Sequence, residues 1–464
     1  MFAVLFCNIT FADQQDQTQK YIQVNVKFRD GKYQPRDTRT IDLLEGFTPA
    51  PEKIEYSKFG GWKNAPQKFD GKGFFYPKKI GDRWWFIDPD GYPFIHVAMA
   101  GTYRGYTPLA SENSKKYLGD GPTWAEFTTS LLDENCFNGV GGWSEGPLLR
   151  ESKHPKAYTN SWDFLADFAK HLDLAHQNPG QTGYPSEVPP IFHPGFEKWC
   201  DEYAKEKVIT TKDDPWLIGH FSDNELPLWR VMLDNTLKLD IEKYPDLKYN
   251  YAEAKRFLVR RKGKTADVND ITEEDRIAFL EKVLERYFSL TTAAIRKYDP
   301  NHLCLGSRFN GRVTTTTEVF QIAGKYLDVI SVNYYHAWSA DPDRVNMWVT
   351  NANKPVLITE YYAKGMDSGM KNISGAGWTV ETQKERGLFY QNFMLSLLET
   401  KNIVGWHWFK YRDNEPDDPS VIAGNVSSNK GIVTWDYKPY TDLLVEMKKL
   451  NENVYLLTDY FDSK

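Results

Sequence analysis

Two glutamates stand where apolar runs stop. Glu225 lies in "PWLIGHFSDNELPLW" (Pro215 to Trp229), where Trp216-Leu217-Ile218-Gly219 gives way to Ser222-Asp223-Asn224-Glu225 and then Leu226-Pro227. Glu360 follows "VLIT" in "PVLITEYY" (Pro355 to Tyr362). An apolar run that ends in polar residues or a proline reads as a buried strand reaching a surface. Two carboxyl groups about 5–5.5 Å apart can share hydrolysis of a glycosidic bond, one as acid/base and one as nucleophile. Whether these two meet depends on the elements that carry them.

Short apolar runs of this kind recur eight times. The first ends a hairpin: Arg83 to Ile87, a turn at Asp88-Pro89-Asp90-Gly91, then a strand from Phe94 to Ala100. The second and third are "FNGVGGWSE" (Phe137 to Glu145) and "KAYTNSWDF" (Lys156 to Phe164). The run before Glu225 is the fourth. "HLCLGSRF" (His302 to Phe309), "DVISVNYY" (Asp328 to Tyr335), "PVLITEYY" and "GWHWFKYRD" (Gly405 to Asp413) complete the set. Helical patterns fall between them, among them "FEKWCDEYAKEKV" and "VETQKERGLFYQNFMLSLLET". A third follows a capping box at Thr272 and Asp275. Alternating strands and helices imply a parallel sheet, and eight units suit a closed (β/α)8 barrel, a TIM barrel. The alternative, a doubly wound open sheet, lacks any GxGxxG or GxxxxGK[ST] after a strand. In the barrel, active sites occupy the C-terminal ends of the strands, so Glu225 and Glu360 are expected on one face.

The 464 residues carry 57 Lys+Arg against 63 Asp+Glu, a net charge of −6. That balance argues against general nucleic-acid binding, which needs a basic face. Most of the 15 Trp, 27 Tyr and 27 Phe must be core, but flat rings also suit stacking on the apolar faces of sugars. Cys7, Cys136, Cys200 and Cys304 form no CxxC or Cys/His cluster, so neither zinc nor a disulfide framework is expected. No metal or cofactor is expected. Nothing after the first dozen residues is apolar for long enough to span a bilayer. "MFAVLFCNITFADQQ" resembles the end of a secretory apolar region without its basic start, which points to export. Residues 1–20 are therefore expected to be a signal remnant and disordered lead. Residues 21–72 read as a leader wrapping the domain, and 73–464 as the catalytic barrel.

Asn-Glu after strand four with Glu at the end of strand seven resembles clan A of the retaining glycoside hydrolases. "GDRWWFIDPDGYPF", "FNGVGGWSE", "PWLIGHFSDNELPLW", "PVLITEYYAKGMDSG", "GWHWFKYRD" and "SNKGIVTWDYKPY" are similar to the family 50 β-agarases, from about Gly73 to Leu457. The resemblance implies Glu225 as acid/base, Glu360 as nucleophile, and Asn224 on the sugar 2-hydroxyl. Because neighbouring strand residues point to opposite faces, Asn224 and Glu225 can both serve only if the strand end bends. It further implies Tyr335, two residues after Asn333, as the holder of the nucleophile, and Trp408 as a platform under the sugar. Trp143, His336 and Arg308 are further strand-end candidates. The clan arginine is missing at the end of strand two, where Trp143-Ser144-Glu145 stands.

Rival carboxylates are Asp223, which could orient the pair, and Glu145. The stretch "DNEPDD" (Asp413 to Asp418) reads as a solvated acidic loop rather than a calcium site. More than forty residues separate Glu225 from Thr272, far beyond an ordinary βα loop. With Trp229, Arg230, Tyr244, Tyr249 and Tyr251 this insertion is expected to rise over the face; the alternative is extra helices packed against the barrel's side. With the Gly-rich "AKGMDSGMKNISGAGW" it would leave a pocket for a chain end. The expected function is exo-acting, retaining hydrolysis of agarose or neoagaro-oligosaccharides. The alternatives are a clan A hydrolase of another β-glycan, such as porphyran, carrageenan or a β-galactoside, and a barrel that only binds polysaccharide.

Overall fold

Eight short strands buried on both faces form one parallel sheet in the computed structural model, which describes residues 20–28 and 30–464. They are His96–Ala100, Gly139–Val140, Ala157–Ser161, Leu217–Phe221, Leu303–Gly306, Ile330–Asn333, Val356–Glu360 and Ile403–Phe409. They are called the first to eighth strands here. Each pairs with its sequence neighbour, and the eighth pairs with the first. The fifth and sixth meet where Phe309 N–H donates to Ser331 O (2.8 Å) and Asn333 N–H donates to Phe309 O (2.9 Å). That contact closes the ring into a (β/α)8 barrel.

Imidazoles fill part of the interior. His407 of the eighth strand reaches His96 of the first at 2.9 Å between ring nitrogens. A Cβ at Gly139 would lie 1.9 Å from His96 Nε2, and one at Gly141 would lie 2.4 Å from His407 Nδ1. Only glycine fits there, which explains the short glycine-rich second strand. Phe59, Phe75, Phe86 and Phe94 pack with Ile218, Leu305 and Leu357, plugging the N-terminal end of the barrel. The expected first strand is split, with Pro93–Phe94 pairing back onto Arg83–Ile87 before His96–Ala100 enters the barrel.

Helices cover the outside. Helix Glu273–Tyr298 opens on the capping box of Thr272 and Asp275 and buries Phe279, Leu280, Val283, Leu284 and Phe288. Helix Gln383–Glu399 lies over the seventh and eighth strands and is buried along nearly its whole length. Among the described residues, no helix is long and apolar enough to cross a membrane. Met1 to Gln19, with the signal-like start and Cys7, lie outside the described residues.

The leader reaches the catalytic face. Strands Ile22–Lys27 and Tyr33–Thr38 form a hairpin, and Val26 and Lys27 pair with Val380 and Thr379 beyond the seventh strand. The chain then crosses the helix layer, with Ile41 N–H donating to Gln391 (2.9 Å) and Trp62 stacked on Tyr455.

The insertion after Glu225 does not rise over the face. It forms helices Met232–Leu237 and Lys248–Lys262 against the barrel's side. Arg276 of the long helix grips Asp234 (2.7 Å), and Phe257 packs on Phe279. Trp229 and Arg230 are held by Glu187, Glu273 and Glu318, and Tyr249 packs on His193. Neither these three nor Tyr244 and Tyr251 line the cleft. Buried Leu233, Leu247 and Leu258 give these segments an apolar face that needs a partner, and the long helix supplies it.

Candidate active site

The fourth strand ends at Phe221, four residues before Glu225, and its ladder slips between His220 and Phe221. Glu225 itself has φ 51°, in the left-handed region. This bend lets Asn224 and Glu225 both face the cleft despite being neighbours. Glu360, the last residue of the seventh strand, is only 5% exposed.

The two carboxyl groups share one polar network. Arg308 donates from Nη2 to Glu360 (2.9 Å) and from Nη1 to Asn224 Oδ1 (3.1 Å). The Tyr335 hydroxyl donates to the other Glu360 oxygen at 2.5 Å. Asn333 Nδ2 donates to Glu225 (2.7 Å) and Asn224 Oδ1 (3.3 Å), while its own carbonyl accepts from Thr359 (2.7 Å). With two donors on its Oδ1, Asn224 must turn its amide nitrogen towards the cleft. That orients a donor for a ligand hydroxyl.

Charge is divided between the pair. Burial first, and ionised Glu360 second, raise the Glu225 carboxyl to about 7, while Asn333, Asn310 and Arg308 pull it back. Burial and the Glu360 charge hold the Tyr335 hydroxyl well above its ordinary value, so it stays a donor. A protonatable carboxyl beside a carboxylate held by a cation and a hydroxyl is equipped for acid/base and nucleophilic chemistry.

The cleft measures about 1250 Å³. Trp143 (φ 56°) lines it, with the Arg308 guanidinium 4.0 Å from its ring centroid and Phe409 edge-on at 5.9 Å. Exposed His336 lies on the rim. Arg308 is not a rim residue. It is fully buried beneath the pair, so a surface role is excluded and its contact is with Glu360 rather than open cleft. It reaches Glu360 from just past strand five, whereas strand two ends in Trp143-Ser144-Glu145 with no arginine.

Trp408 is no platform. It is fully buried, donates to Lys430 O (2.8 Å), and packs on Tyr361 and Tyr390 away from the cleft. The ladder between the seventh and eighth strands slips at Val356/Leu357, opposite Ile403 and Gly405. Beyond that bulge His407 faces inward, so Phe409 reaches the cleft, and Trp406 and Trp408 face the helix layer.

The rivals fall away on geometry. Glu145 is held by three nitrogens of Arg104, at 2.8, 2.9 and 2.6 Å. Asp223 points backwards, accepting from Leu165 and Ala166 N–H at the start of helix Phe164–His171 and from Tyr287 (2.7 Å). Most of the acidic stretch is not solvated: Asp413, Glu415 and Asp418 are buried and of its carboxylates only Asp417 is exposed. Asp413 accepts from Lys430 and Gly431 N–H and from Tyr440, and Glu415 pairs with Arg412 (3.0 Å). Cys200 and Cys304 are buried free thiols and Cys136 is a partly exposed one. Among the described residues His220, Asp299 and His302 come near enough to share an ion, but Trp162 and Asp214 O take the outer ring nitrogens. A metal there would have to break a satisfied network.

Sequence reasoning missed the cleft's other walls. One is the hairpin His176–Asn178/Gln181–Gly183, whose tip meets the segment after the eighth strand: a Cβ on Gly424 would lie 2.9 Å from Gly180 N. These two segments arch over the cleft, joined by Phe28 and Gln34 of the leader hairpin; the expected Gly-rich loop does contribute a wall, from Lys371 to Trp378. Asn310, Tyr103, Tyr106, Tyr362 and Lys430 were also missed. None carries a local signal, because loops bring each of them in. Phe409 alone was findable, by counting two residues on from an inward His407.

No family model matches the chain. The chain is 25% identical over 500 residues to β-agarase B of Vibrio sp. (strain JT0107), covering 86% of this chain and 50% of that protein. It is 25% identical over 372 residues to β-agarase A of the same strain, covering 72% and 36%. It thus spans half or less of the curated relatives it matches. The agarase structure AgWH50C shares the fold at 23% identity and TM-score 0.69, over 88% of this chain and 68% of that one. The crystal structure of BpGH50 is 31% identical, with TM-score 0.81 over 97% of this chain and 98% of that one. With near-complete coverage at that identity, the chain belongs to glycoside hydrolase family 50.

Proposed function

We propose that the chain is a retaining glycoside hydrolase that cleaves β-linkages of agarose or neoagaro-oligosaccharides from a chain end, by double displacement. The observation that carries this reading is the raised Glu225 carboxyl beside a Glu360 carboxylate gripped by Arg308 and Tyr335. Glu360 attacks the anomeric carbon as Glu225 protonates the leaving oxygen, and Glu225 then takes a proton from the water that releases the sugar. Asn224 donates to the 2-hydroxyl. Asn333 holds both Asn224 and Glu225, and Arg308 and Tyr335 fix Glu360. Trp143 and Phe409 form the aromatic walls, and His336 sits at the rim. A barrel that only binds polysaccharide would have no need of the matched carboxyl pair.

Action from a chain end rests on the arch from Gly180 to Gly424 and on the leader hairpin, which enclose one side of the cleft. A time course on agarose tests it. One short product from the outset, with slowly falling viscosity, is expected. An early viscosity drop with a ladder of long products would mean an open groove.

Phe409 and Trp408 separate binding from packing. Trp408→Ala should cost about 3–5 kcal/mol of stability, read as a lower denaturation midpoint. Phe409→Ala should weaken oligosaccharide binding roughly tenfold with a smaller stability loss. The reverse pattern would restore Trp408 as the platform.

A further inference from the structure

Three lysines, two in the cleft and Lys410 in the adjoining recess, have almost no exposure and no carboxylate in salt-bridge contact among the described residues. Lys364, Lys410 and Lys430 are 5%, 3% and 3% exposed. Their partners are neutral. Lys430 donates to Gly424 O (2.8 Å) and Asn425 Oδ1 (2.5 Å), and sits over the rings of Tyr362 and Phe409. Lys364 donates to Ser374 O (3.0 Å) and, at longer range, to Asn372 O and Gly375 O. Lys410 contacts the Tyr103 hydroxyl (3.3 Å) and Asn414. Lys364 and Lys430 line the cleft itself, as does exposed Lys371.

Burying an ammonium group is costly unless an opposite charge accompanies it. Here Lys410 and Lys364 also push against Lys430. Burial, then Lys410, with a further push from Lys364, bring the Lys430 ammonium down to about 7; Glu360 and Asp413 only partly oppose this. Carbonyl oxygens accept protons' hydrogen bonds but do not neutralise the charge. An ammonium has three donors, and two of those on Lys430 are used, so one is left for a ligand. Lys430 stands beside Tyr362, two residues from Glu360, so such a ligand group would sit close to the carboxylate pair.

We propose that Lys430, with Lys364 and Lys410 behind it, forms a subsite for an anionic substituent on the bound glycan, a sulfate ester or a carboxylate. This rests on the reading of the cleft as a glycan site. The unsubstituted sugars of agarose bring no charge to meet these lysines, whereas an oxyanion would accept charge-assisted hydrogen bonds. A lysine acts as a point charge, which suits a tetrahedral sulfate as well as a planar carboxylate.

The test is calorimetric binding to Glu360→Gln protein, which slows turnover. The probes are a neutral agar oligosaccharide, one of equal length bearing a sulfate ester, and one bearing a uronic acid. At least one anionic probe should bind roughly tenfold tighter or better, with an advantage that shrinks as salt is raised. Binding should also take up protons near pH 7, read by repeating it in buffers of different ionisation enthalpy. Lys430→Gln keeps a donor for Gly424 O but removes the charge, and should erase most of the preference. Lys430→Arg should keep much of it, which guards against simple misfolding. Preference for the sulfated probe alone assigns a sulfate ester, and preference for the uronic acid alone a carboxylate. Equal binding of all three probes, or a preference that survives both Lys430→Gln and Lys364→Gln, overturns the proposal. If neutral agar is cleaved without any preference, the agarase reading stands and this site falls. If no galactan is cleaved but an anionic probe is preferred, the reverse holds.

Discussion

Glu360→Gln should bind oligosaccharide as the parent protein does and lose turnover by roughly 10⁴- to 10⁶-fold, the scale seen when one member of a catalytic unit is removed. The expectation of preserved binding comes from the two groups that hold the carboxylate. Arg308 can only donate, whereas a tyrosine hydroxyl both donates and accepts. A glutamine can therefore turn its oxygen to Arg308 and its amide nitrogen to the Tyr335 oxygen, keeping the shape of the network. What it cannot do is form the glycosyl ester. Glu360→Gly removes the side chain, and azide then has room to attack the anomeric carbon directly. With a substrate carrying a good leaving group, the product should be the glycosyl azide of inverted configuration. Near-normal turnover in Glu360→Gln would remove it from the nucleophile's position.

Much of this site was legible because barrel topology converts strand ends into neighbours. Glu225 and Glu360 were found from apolar runs that stop at carboxylates, and Tyr335, beyond Asn333 at the end of strand six, from the resemblance to clan A. What was not legible depended on local irregularity. One slip in the ladder at Val356/Leu357 turned the eighth strand's tryptophans outward and gave the cleft Phe409 instead. A residue count cannot detect a bulge, because period-two alternation reads the same from either starting face. The acidic stretch misled for another reason. Asp413 and Glu415 are buried because Lys430, Gly431, Arg412 and Tyr440 come to them from distant or folded-back segments. The insertion after Glu225 was read from its length and its aromatic side chains, when its apolar spacing favoured the alternative of helices packed on the barrel's side. Arg308 shows the opposite case, since a visible strand-end arginine was undervalued while strand two was searched for one.

The alkaline limb of the rate profile should belong to Glu225. A general acid works only while protonated, and this carboxyl is raised to about 7 by burial and by the Glu360 charge. The parent kcat/KM on natural substrate should therefore fall as pH rises through about 7, and Glu225→Ala should flatten that limb. Loss of the proton donor hurts most when the leaving group is a poor one. Glu225→Ala should thus cost natural substrate far more than a substrate with an activated leaving group, and equal losses on both would count against the role. Azide offers a check on the same variant. It enters after the glycosyl ester has formed, so the glycosyl azide should keep the substrate's anomeric configuration, opposite to the product from Glu360→Gly. The two-step mechanism also asks Glu225 to become a base. Esterification of Glu360 cancels the charge that is the second cause of the raised Glu225 value, so its pKa must fall at the moment a base is needed. Trapping the ester with a 2-fluoro sugar and following the Glu225 carboxyl by isotope-edited infrared or carbon NMR should reveal this drop. If the midpoint of Glu225 stays where it is in the free protein, Glu360 is not the charge that sets it, and the division of labour between the two glutamates would have to be redrawn.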